Sequence, residues 1–235
     1  DRLTTDQKVG SSNLPGRAIK AMKIILLIII LFIQTFTIAK AEKINIFEFT
    51  KDELSKLKSH SIKKKTDYSI IKGKNDTSYL KAEAKGQASG LGKEIKINLN
   101  KTPYLNITWK IEKGIPGISE NTKKGHDFAA RVSVIKEVGS LPWQKKVMNY
   151  VFSSNEKTNS YWQGPYRKQI IDYVASSLVD EKINTWVTVR LNVKEHFKEY
   201  LNMDINEIDG VAIMTDTDNT KKKAVSYYKN IYFSN

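Results

Sequence analysis

Two short stretches of the sequence combine acidic, amide and arginine side chains in a spacing that suits a polar ligand. The first reads HDFAAR over 126–131, and its alternation predicts a strand over 127–135 with Phe128 on the apolar face. Asp127 and Arg131 share the polar face, roughly 13 Å apart at the rise of a strand, so they do not pair with each other. Arginine is scarce in this lysine-rich chain, and its planar fork suits bidentate recognition; the alternative is a structural salt bridge to a neighbouring strand.

The second stretch reads TDTDNT over 215–220 and follows directly on an apolar strand. Asp216, Asp218 and Asn219 offer oxygen atoms of the kind that bind a hard cation such as calcium. The loop is not an EF-hand, because a lysine and a tyrosine stand where that motif needs Gly and Glu. Three lysines follow and oppose cation binding, so we expect no cofactor and a polar network closed by Asx turns. A calcium site on Asp216 and Asp218 is the alternative.

Aromatic residues form a third cluster around a Gly-Pro pair at 164–165. Tyr161, Trp162 and Tyr166 lie in a stretch that reads as a loop. Exposed rings of this kind can stack on the faces of sugars, which makes Trp162 and Tyr166 candidate ligand-binding residues. The context favours the other interpretation, in which the rings fold back as a lid over the core.

Several reaction classes are excluded by what the sequence lacks. The chain has no cysteine, which rules out thiol catalysis and thiolate metal sites, and it has no phosphate loop, nucleophile elbow or zinc-protease motif. His60, His126 and His196 lack spaced partners, and His196 is expected on the exposed side of a helix. Carboxylate pairs for glycoside hydrolysis come from different strands, so spacing cannot reveal them, and no catalytic residue is assigned.

The elements that must position these residues show the period of two that is typical of half-buried strands. Apolar residues alternate with polar ones over 105–111, which predicts a central strand containing Trp109. A glycine-rich turn is predicted over 86–92 and a long loop over 112–125. Other strands are predicted over 80–84, 95–99, 127–135, 147–152, 170–175, 186–191, 211–215 and 225–233.

Two short helices complete the predicted elements. Thr50 and Glu53 form a capping box at the start of one of them. Asn192 can cap the other, whose apolar positions over 193–201 recur at helical spacing. About ten strands with one or two short helices predict a mostly β fold, an antiparallel β-sandwich of the jelly-roll kind.

The amino-terminal part of the sequence reads as a leader. Residues 22–41 contain a charged start, an apolar run and a small-x-small site that ends at Ala41, which predicts a cleavable signal peptide. Residues 1–21 are expected to be a non-native upstream segment, and 42–235 a single β-sandwich domain. We therefore expect a periplasmic or extracellular protein with no stable membrane insertion after cleavage.

The predicted domain is basic. Residues 42–235 carry 33 basic and 23 acidic residues, a net charge of +10, and only three of the basic residues are arginines. A charge of this size can attract a polyanion. The lysine clusters lie in loop-like contexts, however, which favours solvated side chains, and no specific nucleic-acid partner is expected.

Parts of the sequence resemble a bacterial family known only as domain of unknown function three thousand and forty-seven. The resemblance covers most of 80–233 and rests on HDFAAR, the strand over 147–152, VAIMTDTDNT over 211–220 and AVSYYKNIYF over 224–233. Members of that family usually show two acidic residues before the strand, where this chain has His126 and Asp127. The resemblance implies an extracytoplasmic β-sandwich akin to galactose-binding-like modules, and it implies no established activity.

These patterns predict a secreted or periplasmic protein that binds a carbohydrate, a cell-envelope glycan or another envelope component. The expected ligand-binding residues are Asp127, Arg131, Trp162, Tyr166, Asp216, Asp218 and Asn219. A non-enzymatic binding module is favoured. One alternative is an envelope enzyme acting on polysaccharide, with Asp127, Arg131 and Asp216 among its polar groups, and another is a structural envelope protein. A deep pocket with two carboxylates roughly 5–10 Å apart would favour hydrolysis.

Overall fold

Two β-sheets pack face to face in a computed structural model that describes residues 42–74, 77–141 and 144–235. The predicted signal peptide and the segment upstream of it lie outside these residues. The strands are β1 (Lys43–Asn45), β2 (Lys58–Lys63), β3 (Asp67–Lys72), β4 (Ser78–Lys85), β5 (Ala88–Asn98), β6 (Tyr104–Lys113), β7 (Ala130–Glu137), β8 (Lys145–Ser153), β9 (Tyr161–Gln163), β10 (Ile170–Ser177), β11 (Val187–Asn192), β12 (Glu207–Asp216) and β13 (Lys223–Ser234). The helices are α1 (Lys51–Lys56) and α2 (Val193–Leu201).

The two sheets differ in size. The six-stranded sheet has the order β11-β6-β13-β4-β3, with β1 also paired to β13. The seven-stranded sheet has the order β2-β5-β12-β7-β8-β10-β9. All paired strands are antiparallel except β8 and β10, which run parallel with Asn149 opposite Asp172. The predicted fold class, a mostly antiparallel β-sandwich, is therefore confirmed.

The core lies between the inner faces of the two sheets. The alternating apolar residues over 105–111 are all buried, as their period predicts. Trp109 from the six-stranded sheet packs against Phe152 from the other, with ring centroids 5.5 Å apart. The indole N–H of Trp109 donates to the Ser176 hydroxyl at 3.0 Å, so this buried ring leaves no polar atom unsatisfied.

Both predicted helices form where their caps indicate. The Thr50 hydroxyl accepts from the Glu53 backbone amide at 3.1 Å. The side-chain oxygen Oδ1 of Asn192 accepts from the Glu195 backbone amide at 3.2 Å. The expectation for His196 is wrong, because its ring is partly buried and its Nδ1 lies 3.2 Å from the Tyr150 hydroxyl. Three tyrosine rings surround this histidine, since α2 packs over the sheet instead of standing free in solvent.

The predicted turn over 86–92 is too long. Only Gly86 has the left-handed backbone that a turn requires, with φ at +70°, and β5 begins two residues later. Gly90 and Gly92 therefore lie inside a strand. Pairing with β2 on one side and β12 on the other holds this stretch extended, and such tertiary pairing overrides the local preference of glycine.

The strand predicted over 127–135 begins later, at Ala130. Residues 126–129 lie outside any strand, and the amide of Asp127 donates to the Gly125 carbonyl at 2.8 Å. Phe128 consequently leaves the apolar face on which the alternation placed it. Its ring joins a small cluster with Val151 and Val174, outside the main core.

The structure also contains four strands that the sequence did not predict. Strands β1, β2, β3 and β9 were not expected from the sequence pattern, because each of them pairs with one neighbouring strand and has no buried residue. Within the described residues, no helix has the length and apolar character that a bilayer span requires.

Candidate functional site

An ion pair on the outer face of the seven-stranded sheet brings the two polar stretches together. Strand β7 places Arg131 opposite Met214 of β12, so its side chain points away from the core beside Asp216. Nη2 of Arg131 donates to both carboxylate oxygens of Asp216, each at 2.9 Å. Arg131 is 7% exposed and Asp216 is 3% exposed. The pair is thus shielded from water. Charge interactions are stronger in such a buried environment than in solvent.

Burial governs the protonation of this pair. Loss of water raises the pKa of Asp216 to about 6, while the positive charges of Arg131 and His126 act in the opposite direction. Nε of Arg131 is buried and has no hydrogen-bond partner among the described residues. A buried donor without a partner costs free energy, and a ligand that accepts a hydrogen bond would remove that cost.

A second polar chain crosses three neighbouring strands beside this pair. Nε2 of His126 lies 2.8 Å from Oδ2 of Asp172, and Oδ1 of Asp172 accepts from the Asn149 amide at 2.8 Å. The Ser133 hydroxyl donates to Asn149 at 2.6 Å. Burial acts to raise the pKa of Asp172, but the hydrogen bond and charge of His126 hold it below its usual value.

The loop that follows β12 is fastened by Asp127. One carboxylate oxygen of Asp127 accepts from the backbone and side-chain amides of Asn219, and the other accepts from the Thr220 amide at 2.6 Å. Asn219 in turn accepts from the Tyr166 hydroxyl at 2.7 Å. These bonds fix the loop, Tyr166 and the segment that carries His126 in one arrangement.

A pocket of about 580 Å³ opens between these elements. Five of the seven residues predicted to bind a ligand line it: Arg131, Tyr166, Asp216, Asp218 and Asn219. Arg167 lines it as well, so two of the three arginines in 42–235 face one pocket. Its lining combines two guanidinium groups with two carboxylates, which balances the charge. Such a mixture of donors and acceptors suits a polar, hydroxyl-bearing ligand.

The other two predicted residues lie elsewhere. Asp127 holds the loop and does not line the pocket. Trp162 stacks on Phe128, with centroids 6.3 Å apart and planes at 20°, in the small apolar cluster outside the core. Tyr161 is exposed and packs on Tyr200. The aromatic wall of the pocket is therefore Tyr166, whose ring lies 5.7 Å from His126 and 5.7 Å from the Lys123 ammonium.

Three carboxylates come close enough to be considered as metal ligands. One oxygen each of Asp127, Asp216 and Asp218 lies within 4.8 Å of the others. Both oxygens of Asp216 already accept from Arg131, and both oxygens of Asp127 accept from loop amides. Calcium takes six to eight oxygen ligands, so these residues fit a cation poorly while Arg131 remains in place.

Sequence reasoning missed part of this site. His126 and Asp172 are 46 positions apart, and nothing in their spacing indicates a pair. The signal was the lone acid within the apolar strand over 170–175, because a carboxylate buried on a strand needs a partner. Asn149 carries the same signal in β8.

The fold and the site define a β-sandwich with a polar pocket on the outer face of its larger sheet. Residues 52–232 match the family model described as protein of unknown function (DUF3047), and the chain belongs to that family. A search of curated proteins found no match to the sequence.

Several solved structures are similar to this chain at low identity. The family 30 carbohydrate-binding module of the Clostridium thermocellum cellulosomal cellulase Cel9D-Cel44B is 8% identical, with 82% of this chain and 96% of that chain covered and a TM-score of 0.45. TmCBM61 in complex with β-1,4-galactotriose is 9% identical, with 80% and 98% covered and a TM-score of 0.36. The xyloglucanase domain of NopAA from Sinorhizobium fredii, in complex with cellobiose, is 10% identical, with 76% and 93% covered and a TM-score of 0.43.

Proposed function

We propose that this protein is a binding module whose pocket takes a carbohydrate. The observation that carries the proposal is the pairing of Arg131 with Asp216 inside the pocket, which leaves Nε of the arginine without a hydrogen-bond partner among the described residues. Sugar hydroxyls both donate and accept, so they can satisfy an arginine and a carboxylate at once. Tyr166, held by its hydroxyl, supplies an apolar wall for the face of a sugar ring.

Preorganisation supports binding. The pocket residues are fixed by hydrogen bonds that exist without a ligand, from Asp127 to the loop and from Asp216 to Arg131. A site held in this way loses little conformational entropy when a ligand enters. The balanced lining also explains how a basic protein can recognise a sugar without acting as a general polyanion binder.

A glycan array tests the proposal. Arg167 is exposed, lines the pocket and makes no side-chain hydrogen bond among the described residues, so Arg167→Ala removes a pocket donor at little cost to folding. Arg190→Ala is the matched control on the other sheet. We expect glycan signals that Arg167→Ala weakens and Arg190→Ala leaves unchanged. Binding that instead falls steeply with salt, whatever the glycan, would indicate a polyanion binder and overturn the proposal.

Hydrolysis of a polysaccharide is a second candidate. The raised pKa of Asp216, about 6, suits a general acid, and Asp218 lies beside it. Against this, both oxygens of Asp216 are engaged by Arg131. Release of reducing ends from a bound polysaccharide that disappears in Asp218→Asn, a pocket residue at the less buried position, would favour the enzyme over the binding module.

Export to the periplasm or the exterior is part of the same proposal, since the predicted leader ends at Ala41. Amino-terminal sequencing of the exported protein is expected to begin at Glu42. A chain recovered in the membrane fraction with Met22 still present would contradict it.

A further inference from the structure

The pocket continues into a second hollow along the same sheet. This hollow has a volume of about 760 Å³ and shares four lining residues with the pocket: His60, Ile62, Arg167 and Met214. The pocket and the hollow together follow β12 from Asp216 to Asp209, a distance of ~23 Å at the rise of a strand. We name this combined depression the groove.

Glycine and alanine make the floor of the second hollow. Gly90 and Gly92 of β5 and Gly210 and Ala212 of β12 line it side by side. A Cβ built at Gly92 would meet Ala212 Cβ at 3.8 Å and the Lys58 carbonyl at 3.9 Å, which are ordinary contacts. The backbone at Gly92 is also not left-handed, so neither packing nor geometry requires glycine at this position, whereas a Cβ at Gly90 or Gly210 would meet a backbone oxygen at 3.2 or 3.3 Å.

Glycine at such a position weakens the strand relative to alanine, because it loses more conformational freedom on folding. A strand glycine that the fold does not require marks a place where a ligand or another backbone approaches closely. At one end of this floor, Arg131 is buried, and within the part of the chain that the structure describes its Nε has no hydrogen-bond partner. Two independent observations therefore point to an occupant that extends from the pocket over the glycines.

Most of the charges that line the second hollow are paired, and Arg167 is the exception among the described residues. Each of its three carboxylates lies next to a lysine, with Lys58–Glu94 at 2.6 Å, Lys145–Glu137 at 2.5 Å and Lys136–Asp209 at 2.9 Å. The arginine at the pocket end is paired with Asp216. The groove thus offers many donors and acceptors with little unbalanced charge, despite the net charge of +10 of residues 42–235.

We propose that the groove binds an extended, uncharged polysaccharide along its length, with the pocket holding one sugar unit and the glycine floor accommodating its neighbours. This inference rests on the proposed function, because the pocket must bind a carbohydrate for the chain to continue from it. The ligand class follows from the length of the groove, its low floor and its paired charges. A terminal sugar alone would leave the second hollow unused.

The test compares chain lengths and a filled floor. The probes are disaccharides and hexasaccharides of β-1,4-linked glucan, galactan and mannan, with dextran sulfate as the charged comparison, and affinities are measured by calorimetry. Gly92→Val fills the floor while adding a residue that strands favour. Ser69→Val is the matched control, because Ser69 is exposed on the outer face of the six-stranded sheet.

We expect at least one hexasaccharide to bind about tenfold more tightly than its disaccharide, and Gly92→Val to abolish that gain while Ser69→Val preserves it. Equal affinities for the two lengths, with Gly92→Val without effect, would overturn the groove and leave the pocket standing. Absence of binding by every uncharged probe, or tighter binding of dextran sulfate, would overturn both proposals. Melting temperatures of the two variants show whether each remains folded.

Discussion

The outer faces of the two sheets are built on different principles. On the six-stranded sheet, aromatic rings lie under positive charges: Arg190 over Tyr104 at 3.3 Å, Lys43 over Tyr232 at 4.1 Å, Lys229 over Trp186 at 4.2 Å and Lys110 over Tyr227 at 4.3 Å. On the seven-stranded sheet, polar side chains are buried, bonded to each other and arranged around the groove.

This difference shows why aromatic content alone does not locate a sugar site. A ring whose face is covered by a cation at 3.3–4.3 Å already has a close partner that a ligand must displace, whereas the Lys123 ammonium lies farther from the Tyr166 ring, at 5.7 Å. The groove offers instead a floor of glycine and alanine and an arginine nitrogen that has no hydrogen-bond partner among the described residues. What distinguishes the two faces is therefore unused binding capacity on the seven-stranded sheet.

The largest effect on stability is expected in the core, which lies between the two sheets. Trp109 is fully buried between the sheets and contacts Phe152. Trp109→Ala should lower the free energy of unfolding by about 3–5 kcal/mol, since it leaves a large cavity. Chemical denaturation measures this loss. Near-wild-type stability would contradict the assignment of β6 to the centre of the sandwich.

Removing one arginine from each face tests the difference between the two faces directly. Arg131→Met leaves the Asp216 carboxylate buried without its partner, and such a loss costs about 3–5 kcal/mol. Arg190→Met on the other face removes an exposed charge, for which we expect less than about 1 kcal/mol. Similar losses for the two variants would contradict the contrast. Adding Asp216→Asn to Arg131→Met should recover part of the stability.

The contributions of Asp216 and Asp172, two carboxylates on the groove face, to the stability of the fold should depend on pH in opposite ways. Burial raises the pKa of Asp216 to about 6, so the folded state holds its proton longer than the unfolded state does. Its contribution to stability is present below pH ~4 and is lost as the pH rises towards about 6, with a size of up to about 3 kcal/mol. The pKa of Asp172 is lowered, so its contribution is present above pH ~4 and is lost in acid.

Denaturation curves of Asp216→Asn and Asp172→Asn across pH 3–7 measure these contributions. Asp216→Asn should remove a fall in stability between pH ~4 and ~6, and Asp172→Asn should remove a fall in acid. If both variants changed the profile in the same direction, the account of the buried pairs would be wrong.

Calcium should have the smallest effect. The oxygens of Asp127 and Asp216 already accept hydrogen bonds from loop amides and from Arg131, so a cation would have to break them. We expect no rise in melting temperature when calcium is added. A rise that Asp216→Asn with Asp218→Asn abolishes would establish the metal site instead.

The sequence predicted the fold better than the site. Period-two alternation identified the strand containing Trp109, because half-buried strands place alternate residues in the core. It could not pair Arg131 with Asp216, which lie 85 positions apart and meet only through the register of β7 and β12. The residue types were still informative, since five of the seven residues predicted to bind a ligand line one pocket.

Two features misled the sequence reasoning, and each for a physical reason. The glycines at 90 and 92 indicated a turn, whereas pairing on both sides holds them in a strand under the groove. Trp162 indicated a sugar platform, whereas apolar neighbours draw its ring onto Phe128. The local conformational preference of a residue cannot show which residues, distant in sequence, will pack against it in the fold.

Mapping of the bound face by NMR tests the central claim most directly. Backbone and arginine side-chain resonances would be followed while a β-1,4-linked hexasaccharide of glucan, galactan or mannan is added. The account predicts shifts at Arg131 and its Nε–H, at Tyr166 and at Gly92, with little change around Trp186 and Tyr227. Shifts that cluster at Trp186 and Tyr227, with the groove unchanged, would contradict it.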